Sequence, residues 1–228
     1  QPADMAGATE WHGAELDTIT GGIAKLLYPE ANVFGGVGFE KAPFADGVFD
    51  IAIGNPPFGS NTITDKVKSR AHLSGMKVHN YVISKTAMHL RPGGVMAMVV
   101  THRFLDTADA EARSVLSKDF AFLGAVRLPN DAFKANAGTE VTTDIIFLRK
   151  LRLGEKPDLD ADWLRTDGKV PAKNGGEARV NGYFEKNPGH ILGESATDGT
   201  MYGGRGGEYT VHGDGRDVGA AIDEILAT

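Results

Sequence analysis

The sequence predicts an α/β fold over residues 1–150, with helices layered on a mostly parallel sheet, and a loop-rich extension over residues 151–228 that ends in a short helix. Three observations predict it. Apolar runs of strand length alternate with stretches whose apolar residues recur at helical spacing. The segments stop at proline or at paired glycines. After Lys150 the long apolar runs cease, and Gly, Asp and Lys dominate.

Taken in order, Trp11 to Asp17 is a short segment ending in acids, and Ile19, Ile23, Leu26 and Leu27 mark one helical face that Pro29 closes. Val33 and Phe34 suggest a second short strand. Phe49 to Ile53 is a compact apolar strand stopped by Asn55-Pro56-Pro57. Residues 59–77 are polar and read as a mobile loop. Val78, Tyr81, Val82 and Met88 mark a helix ended by Arg91-Pro92-Gly93-Gly94, and Val95 to Val100 has the length of a buried strand. Ala112, Val115 and Leu116 fit a helix, and Phe122–Leu128 and Val141–Leu148 two strands. Beyond 150, Asn174-Gly175-Gly176 and Gly203-Gly204-Arg205-Gly206-Gly207 read as turns or loose loops, and Val218, Ala221, Ile222 and Ile225 as the final helix.

Bulk properties narrow the function. The absence of cysteine excludes disulfides, thiolate zinc sites and cysteine nucleophiles. The seven histidines are scattered without the paired helical spacing of a zinc site, so no metal is expected. No apolar run approaches the roughly 20 residues that a membrane span needs, and no signal peptide is visible, so a cytoplasmic setting is the default. A net charge of −6 is not that of a self-sufficient nucleic-acid binder, so any basic surface must be local or on another part of the protein.

The sharpest feature is FDIAIGNPPFG, residues 49–59. It delivers Asn55, Pro56, Pro57 and Phe58 to the C-terminal end of a strand, the edge where open α/β sheets bind ligands. An exocyclic amine conjugated to a ring is a poor nucleophile, because its lone pair is delocalised. Two oxygens that each accept one amine hydrogen localise that pair toward an incoming carbon. The Asn55 carboxamide and the Pro56 carbonyl are such a pair, stiffened by the prolines, and Phe58 offers a face on which a flipped base can stack. The plain alternative is a rigid turn after a strand.

FDIAIGNPPFG resembles the catalytic motif of the amino-group (adenine N6 or cytosine N4) DNA methyltransferases, and the resemblance covers roughly residues 10–150. The phenylalanine form resembles that of adenine-specific members. LPNDAFKANAGTEVTTDIIFLRK is similar to a segment of large adenine-specific methylases carried by plasmids, phages and other mobile elements, often joined to helicase-like regions. The resemblance implies a Rossmann-like S-adenosylmethionine-dependent methyltransferase fold, with S-adenosylmethionine as cofactor and DNA as partner. GAELDTITGGIAKLLYP is similar to the family's second strand and following helix. It implies that Glu15, with its neighbour Leu16, meets the cofactor ribose, with Asp17 the alternative ligand and otherwise the cap of the helix. VGFEKAPF implies contact with the cofactor adenine through Phe39 and Glu40, although many members place the acid before the apolar residue. Asn55 also borders the cofactor.

The family's first strand and glycine-rich turn have no counterpart before Glu15. The fold is therefore expected to be partial, its cofactor site completed by an N-terminal segment of the same protein, and the piece alone to bind cofactor weakly or not at all. The glycines of VFGGVGFE could supply a glycine turn, but no helix follows them. Lys66, Lys68 and Arg70 are candidates for DNA phosphate contacts, with a solvated loop the alternative. Thr101-His102-Arg103 shares the sheet edge of Asn55. Two competing readings stand beside adenine methylation in DNA: transfer to RNA or to a protein glutamine, and a degenerate methylase fold kept as a binding module.

Overall fold

The computed structural model describes residues 9–59, 61–108, 111–134, 138, 140–200 and 207–227. The chain divides into two compact units, Gln1–Ala45 with Asp65–His72, and Asp46–Thr64 with Leu73–Thr228. The units do not follow the change in composition at residue 150.

In the smaller unit, β1 (His12–Glu15), α1 (Thr18–Leu27) and β2 (Asn32–Gly35) form a strand–helix–strand motif with β1 and β2 parallel and Glu15 opposite Gly35. Asp17 caps α1 by accepting the Thr20 amide at 2.7 Å, satisfying an N–H that the helix start leaves orphaned. The helix meets β2 glycine to glycine: a Cβ on Gly21 would lie 2.6 Å from the Gly35 Cα. Phe34 and Phe39 pack edge-on and tilted against Phe44, with centroids 5.7 and 6.2 Å away. The apolar face predicted for α1 is present but open, with Ile19 73% and Leu26 84% exposed.

The larger unit holds β3 (Phe49–Gly54), α2 (Val78–His89), β4 (Leu90–Thr101), α3 (Arg103–Asp106), α4 (Glu111–Leu116), β5 (Phe120–Leu128) and β6 (Thr143–Lys150). The sheet order is β3-β4-β6-β5. The sheet is less parallel than expected. β3 and β4 are parallel, but β6 runs antiparallel to both β4 and β5. The loop between β5 and β6 explains this. It is pinched at its neck where the Val141 amide bonds the Asn130 carbonyl at 2.8 Å, so β6 starts at the edge where β5 ends. A parallel return would need a crossover to the opposite edge.

The loop expected at 59–77 is also more ordered than its composition suggests. Thr62 bridges Lys77, residues Lys68–Leu73 form a 3-10 turn, and Leu73 and Met76 are buried.

The extension is built rather than loose. β7 (Gly168–Pro171) and β8 (Glu177–Val180) form a hairpin through the predicted Asn174-Gly175-Gly176 turn, whose glycines have φ of 93° and 76°. α5 (Gly182–Lys186), the antiparallel pair β9 (Glu194–Gly199) and β10 (Glu208–His212), and α6 (Val218–Leu226) follow. Trp163, Val180, Phe184 and Val211 join Met96, Val100, Ile146 and Leu148 in one buried cluster, and Phe122 stacks on Trp163 at 5.0 Å. In the extension these apolar residues come singly or in pairs between polar ones, so no long run announces them. The predicted loop at residues 203–206 lies outside the described residues, as does Thr139. Among the described residues no helix is long and apolar enough to cross a membrane.

Candidate active site

The catalytic candidates sit where the sequence predicts, at the C-terminal end of β3. Asn55 is exposed, Pro56 is buried, and Phe58 is 40% exposed. Pairing places several other chain ends at the same sheet edge. Gly54 lies opposite Met98 in the parallel neighbour β4, and Thr143 lies opposite both Thr101 and Leu128. His102, Asn130 and Thr142 therefore emerge on the edge that carries Asn55. His102, Asn130, Thr142, Tyr209 and His212 line a cavity of about 240 Å³ there. His102 thus lies at a cavity rather than on a plain surface turn, and none of the Asn55–Phe58 residues is among the cavity's lining.

Three aromatic rings anchor the turn. Phe58 lies against His79 of α2 with centroids 5.4 Å apart and planes 30° apart. His79 in turn stacks on Phe104 of α3 at 6.0 Å and 16°. Burial depresses the His79 imidazole to a pKa of about 4, so the ring is neutral at physiological pH.

Behind the edge lies a buried charge network that sequence reasoning missed. Arg127 of β5 and Asp144 of β6 are direct cross-strand partners, both fully buried, joined at 2.7 and 2.9 Å. Arg127 also pairs with Asp106 at 2.9 Å, and its guanidinium lies 4.2 Å from the Phe184 centroid. Burial works against the Arg127 cation, but the Asp106 and Asp144 carboxylates outweigh it and hold the proton more firmly than usual. Burial likewise opposes the Asp106 anion, and Arg127 and His102 more than offset it, keeping its carboxyl below the usual range. Asp106 also accepts from His102 Nδ1 at 3.1 Å and from the Asn181 amide at 2.8 Å, tying the extension to the β4 end. The signal was present as a lone Arg and a lone Asp in apolar strands, which are paired when buried.

In the smaller unit the cofactor candidates share one end of the β1–β2 pair. The Glu15 carboxylate accepts the Asp17 amide at 2.9 Å, and the Glu15 carbonyl accepts the Val37 amide at 3.2 Å, which brings residues 37–41 beside it. Leu16 is 72% exposed. Phe39, Glu40 and Lys41 form a 3-10 turn. Gly38 makes room for the Glu40 carboxylate, whose oxygens would lie 2.4 and 2.6 Å from a Cβ there.

The three cations proposed for phosphate contact part company. Lys66 and Lys68 are exposed. Arg70 turns inward, pairing with buried Asp65 at 2.6 Å and donating to the Glu40 carbonyl at 3.2 Å. Its neighbourhood in sequence with two solvated lysines concealed this internal use. Among the cations at 149–156, Arg149 pairs with Glu155 at 2.6 Å and Lys150 donates to the Leu90 carbonyl at 2.7 Å, while Arg152 and Lys156 are exposed.

The sequence model of the Eco57I restriction-modification methylase family matches residues 14–133, just over half of the 228-residue chain. Over 144 residues the chain is 29% identical to the Defense against restriction protein B of Escherichia phage P1. That match covers 60% of this chain and only 6% of the phage protein. Among solved structures, the EcoKI M protein of a type I restriction enzyme superposes with a TM-score of 0.51 at 21% identity, over 65% of this chain and 32% of that one. A modification subunit assigned to a type I restriction enzyme of Vibrio vulnificus YJ016 superposes with a TM-score of 0.50 at 14% identity, over 95% of this chain and 49% of that one. At these identities the two structures speak to the fold, which is that of a Rossmann-like methyltransferase.

Proposed function

Because the chain belongs to the Eco57I restriction-modification methylase family, we propose that it is the catalytic part of a DNA methyltransferase that moves a methyl group from S-adenosylmethionine to the N6 amine of adenine. The observation that carries the reading is the Asn55–Phe58 turn, held at a strand's C-terminal end with Asn55 and part of Phe58 exposed.

The residues present suit the cofactor. A carboxylate at a strand end, Glu15, is a bidentate acceptor for a vicinal diol, and exposed Leu16 and the Phe39–Glu40 turn offer apolar and acidic surface for a purine. When bound, the cofactor supplies a methyl carbon made electrophilic by its sulfonium. This chain's own residues handle the amine. Asn55 Oδ1 and the Pro56 carbonyl each accept one N6 hydrogen, which directs the nitrogen lone pair toward the incoming carbon. The prolines fix both acceptors in advance, and the Phe58 face holds the base. No side-chain base is required, since the extra proton leaves the alkylated nitrogen for water. Exposed Lys66 and Lys68 serve the DNA phosphates.

Two open features support a completing segment in the full-length protein. Among the described residues of the larger unit, β3 pairs on one side only, and Ile51 and Ile53 are 56% and 63% exposed. Among the described residues of the smaller unit, β1 pairs with β2 alone, and Ile19 and Leu26 of α1 are exposed. A strand, a glycine-rich turn and a helix from the same protein would cover such surfaces, and the turn would approach the methionine part of the cofactor. Helicase-like regions are the further partners proposed.

The test is Asn55→Ala in the full-length protein, with transfer of labelled methyl to unmethylated genomic DNA as readout. Transfer is expected to vanish while calorimetric affinity for the cofactor changes less than about threefold, since Asn55 addresses the amine. Retention of more than about a tenth of the wild-type rate, a loss under roughly 1.4 kcal/mol, refutes the assigned role. Labelling of RNA or protein in place of DNA would replace the substrate, and no labelling by the wild type would leave a binding module.

A further inference from the structure

We propose that His79 is a positioning residue for this reaction, holding the Phe58 ring as a rigid platform for the extruded base through the ladder Phe58–His79–Phe104. The inference rests on the reading of Asn55–Phe58 as the catalytic turn and adds a residue outside that motif.

The geometry is that of a backed platform. His79 covers part of the Phe58 ring at 5.4 Å, while 40% of Phe58 remains exposed. Phe104, 8% exposed, stacks on His79 in turn at 6.0 Å and 16°. Two elements thus fix the ring: His79 stands in the first turn of α2, and Phe104 in α3 directly after the β4 end. A stacking side chain contributes in proportion to how little freedom it loses when the base arrives, so fixing the ring beforehand favours binding of the flipped state. Phe104 follows two residues after His102, which precedes α3 and lines the cavity on this edge.

The chemistry of His79 fits a neutral aromatic spacer. The residue is 8% exposed, and its Nε2 is buried without a hydrogen-bond partner. No carboxylate is among the causes acting on it, and burial alone lowers its pKa to about 4. An ammonium or guanidinium in this position would have no counter-charge. A phenylalanine would keep the stack and remove the orphaned nitrogen.

The experiment compares wild type, His79→Ala, His79→Leu and His79→Phe in the full-length protein. Each is saturated with unmethylated genomic DNA and, separately, with S-adenosylmethionine, and labelled methyl transfer is measured. His79→Ala and His79→Leu are expected to lower kcat/KM for DNA by about tenfold or more, the scale of one lost base–aromatic stack. KM for the cofactor should move less than about twofold, and His79→Phe should recover activity to within about threefold of wild type. The rate of the wild type should show no ionisation of His79 between pH 5.5 and 8, about one unit or more above its depressed pKa. Leucine fills the space without a planar ring, so it separates stacking from packing. The proposal is overturned if His79→Leu matches wild type on DNA, or if His79→Phe is as impaired as His79→Ala while its thermal melting is unchanged. An active wild type with an inactive Asn55→Ala and an unimpaired His79→Leu defeats this inference alone. A wild type that labels no DNA defeats both readings.

Discussion

Replacing Arg127 by Met should loosen the β5–β6 pair more than any surface change could. Arg127 and Asp144 sit opposite each other with both side chains 0% exposed, joined by contacts of 2.7 and 2.9 Å. Methionine fills much of the space but leaves the Asp144 carboxylate buried without a cation. Breaking such a pair costs about 3–5 kcal/mol, because the stranded charge keeps its full desolvation penalty. The guanidinium contact with Phe184 at 4.2 Å is lost as well. At about 1.4 kcal/mol per factor of ten, amide exchange in residues 120–128 and 143–150 should accelerate by roughly two to three and a half decades. Hydrogen–deuterium exchange of the full-length protein, read on those peptides, measures it. The pH dependence identifies the cause. In the variant, burial and the neighbouring Asp106 carboxylate both favour the neutral form of Asp144, with only His102 opposing them, so the penalty should shrink as pH falls from 7 toward 5. An acceleration under tenfold at pH 7, or a penalty that is flat in pH, would refute the claim that a stranded carboxylate is responsible.

Other consequences are equally direct. Gly21→Ala puts a Cβ 2.6 Å from the Gly35 Cα, backbone against backbone, and should cost about 1–3 kcal/mol, seen as faster exchange in α1 and β2. Lys66→Glu with Lys68→Glu should weaken DNA binding uniformly and flatten the log Kd against log salt plot by about 2; an unchanged slope means that neither lysine meets a phosphate. His79 has its pKa lowered on folding, so only the unfolded chain takes its proton in the window from about pH 6.5 down to about 4. Stability should be intact above that window and fall through it, and His79→Phe should abolish this part of the acid loss in denaturation midpoints measured against pH.

What the sequence revealed of the fold divides along a physical line. Local signals carried well: the Ile19–Leu27 face formed a helix capped by Asp17, the apolar run at 49–54 formed β3, and Asn174-Gly175-Gly176 turned a hairpin. Pairing direction was not local. Nothing in the sequence of 143–150 distinguishes a parallel from an antiparallel strand; the pinched loop at Asn130 and Val141 decides it. The extension misled for a related reason. Its core residues are spread singly or in pairs between polar ones, so hydrophobic density per window stays low although Trp163, Val180 and Phe184 are at most 2% exposed.

The candidate site shows the same limit more sharply. Asn55, Pro56, Pro57 and Phe58 are contiguous, so a single strand end displays their chemistry in linear order. His79 lies in another helix, and Phe104 follows another strand, so their role as supports exists only once α2 and β4 are placed. Arg70 marks the opposite error. It stands two residues from Lys68 and carries the same charge, yet Asp65 takes its guanidinium at 2.6 Å. A planar cation with five donors is more easily satisfied by a buried carboxylate and a carbonyl than a lysine is, and desolvating it costs less. The inward turn of Arg70 against the exposure of Lys66 and Lys68 therefore follows from side-chain chemistry, once a buried acid is within reach. The same reasoning separates Arg127 from the surface charges: an arginine in an apolar strand whose neighbour carries an aspartate is a structural pair, and function at this edge falls to the groups left without such partners.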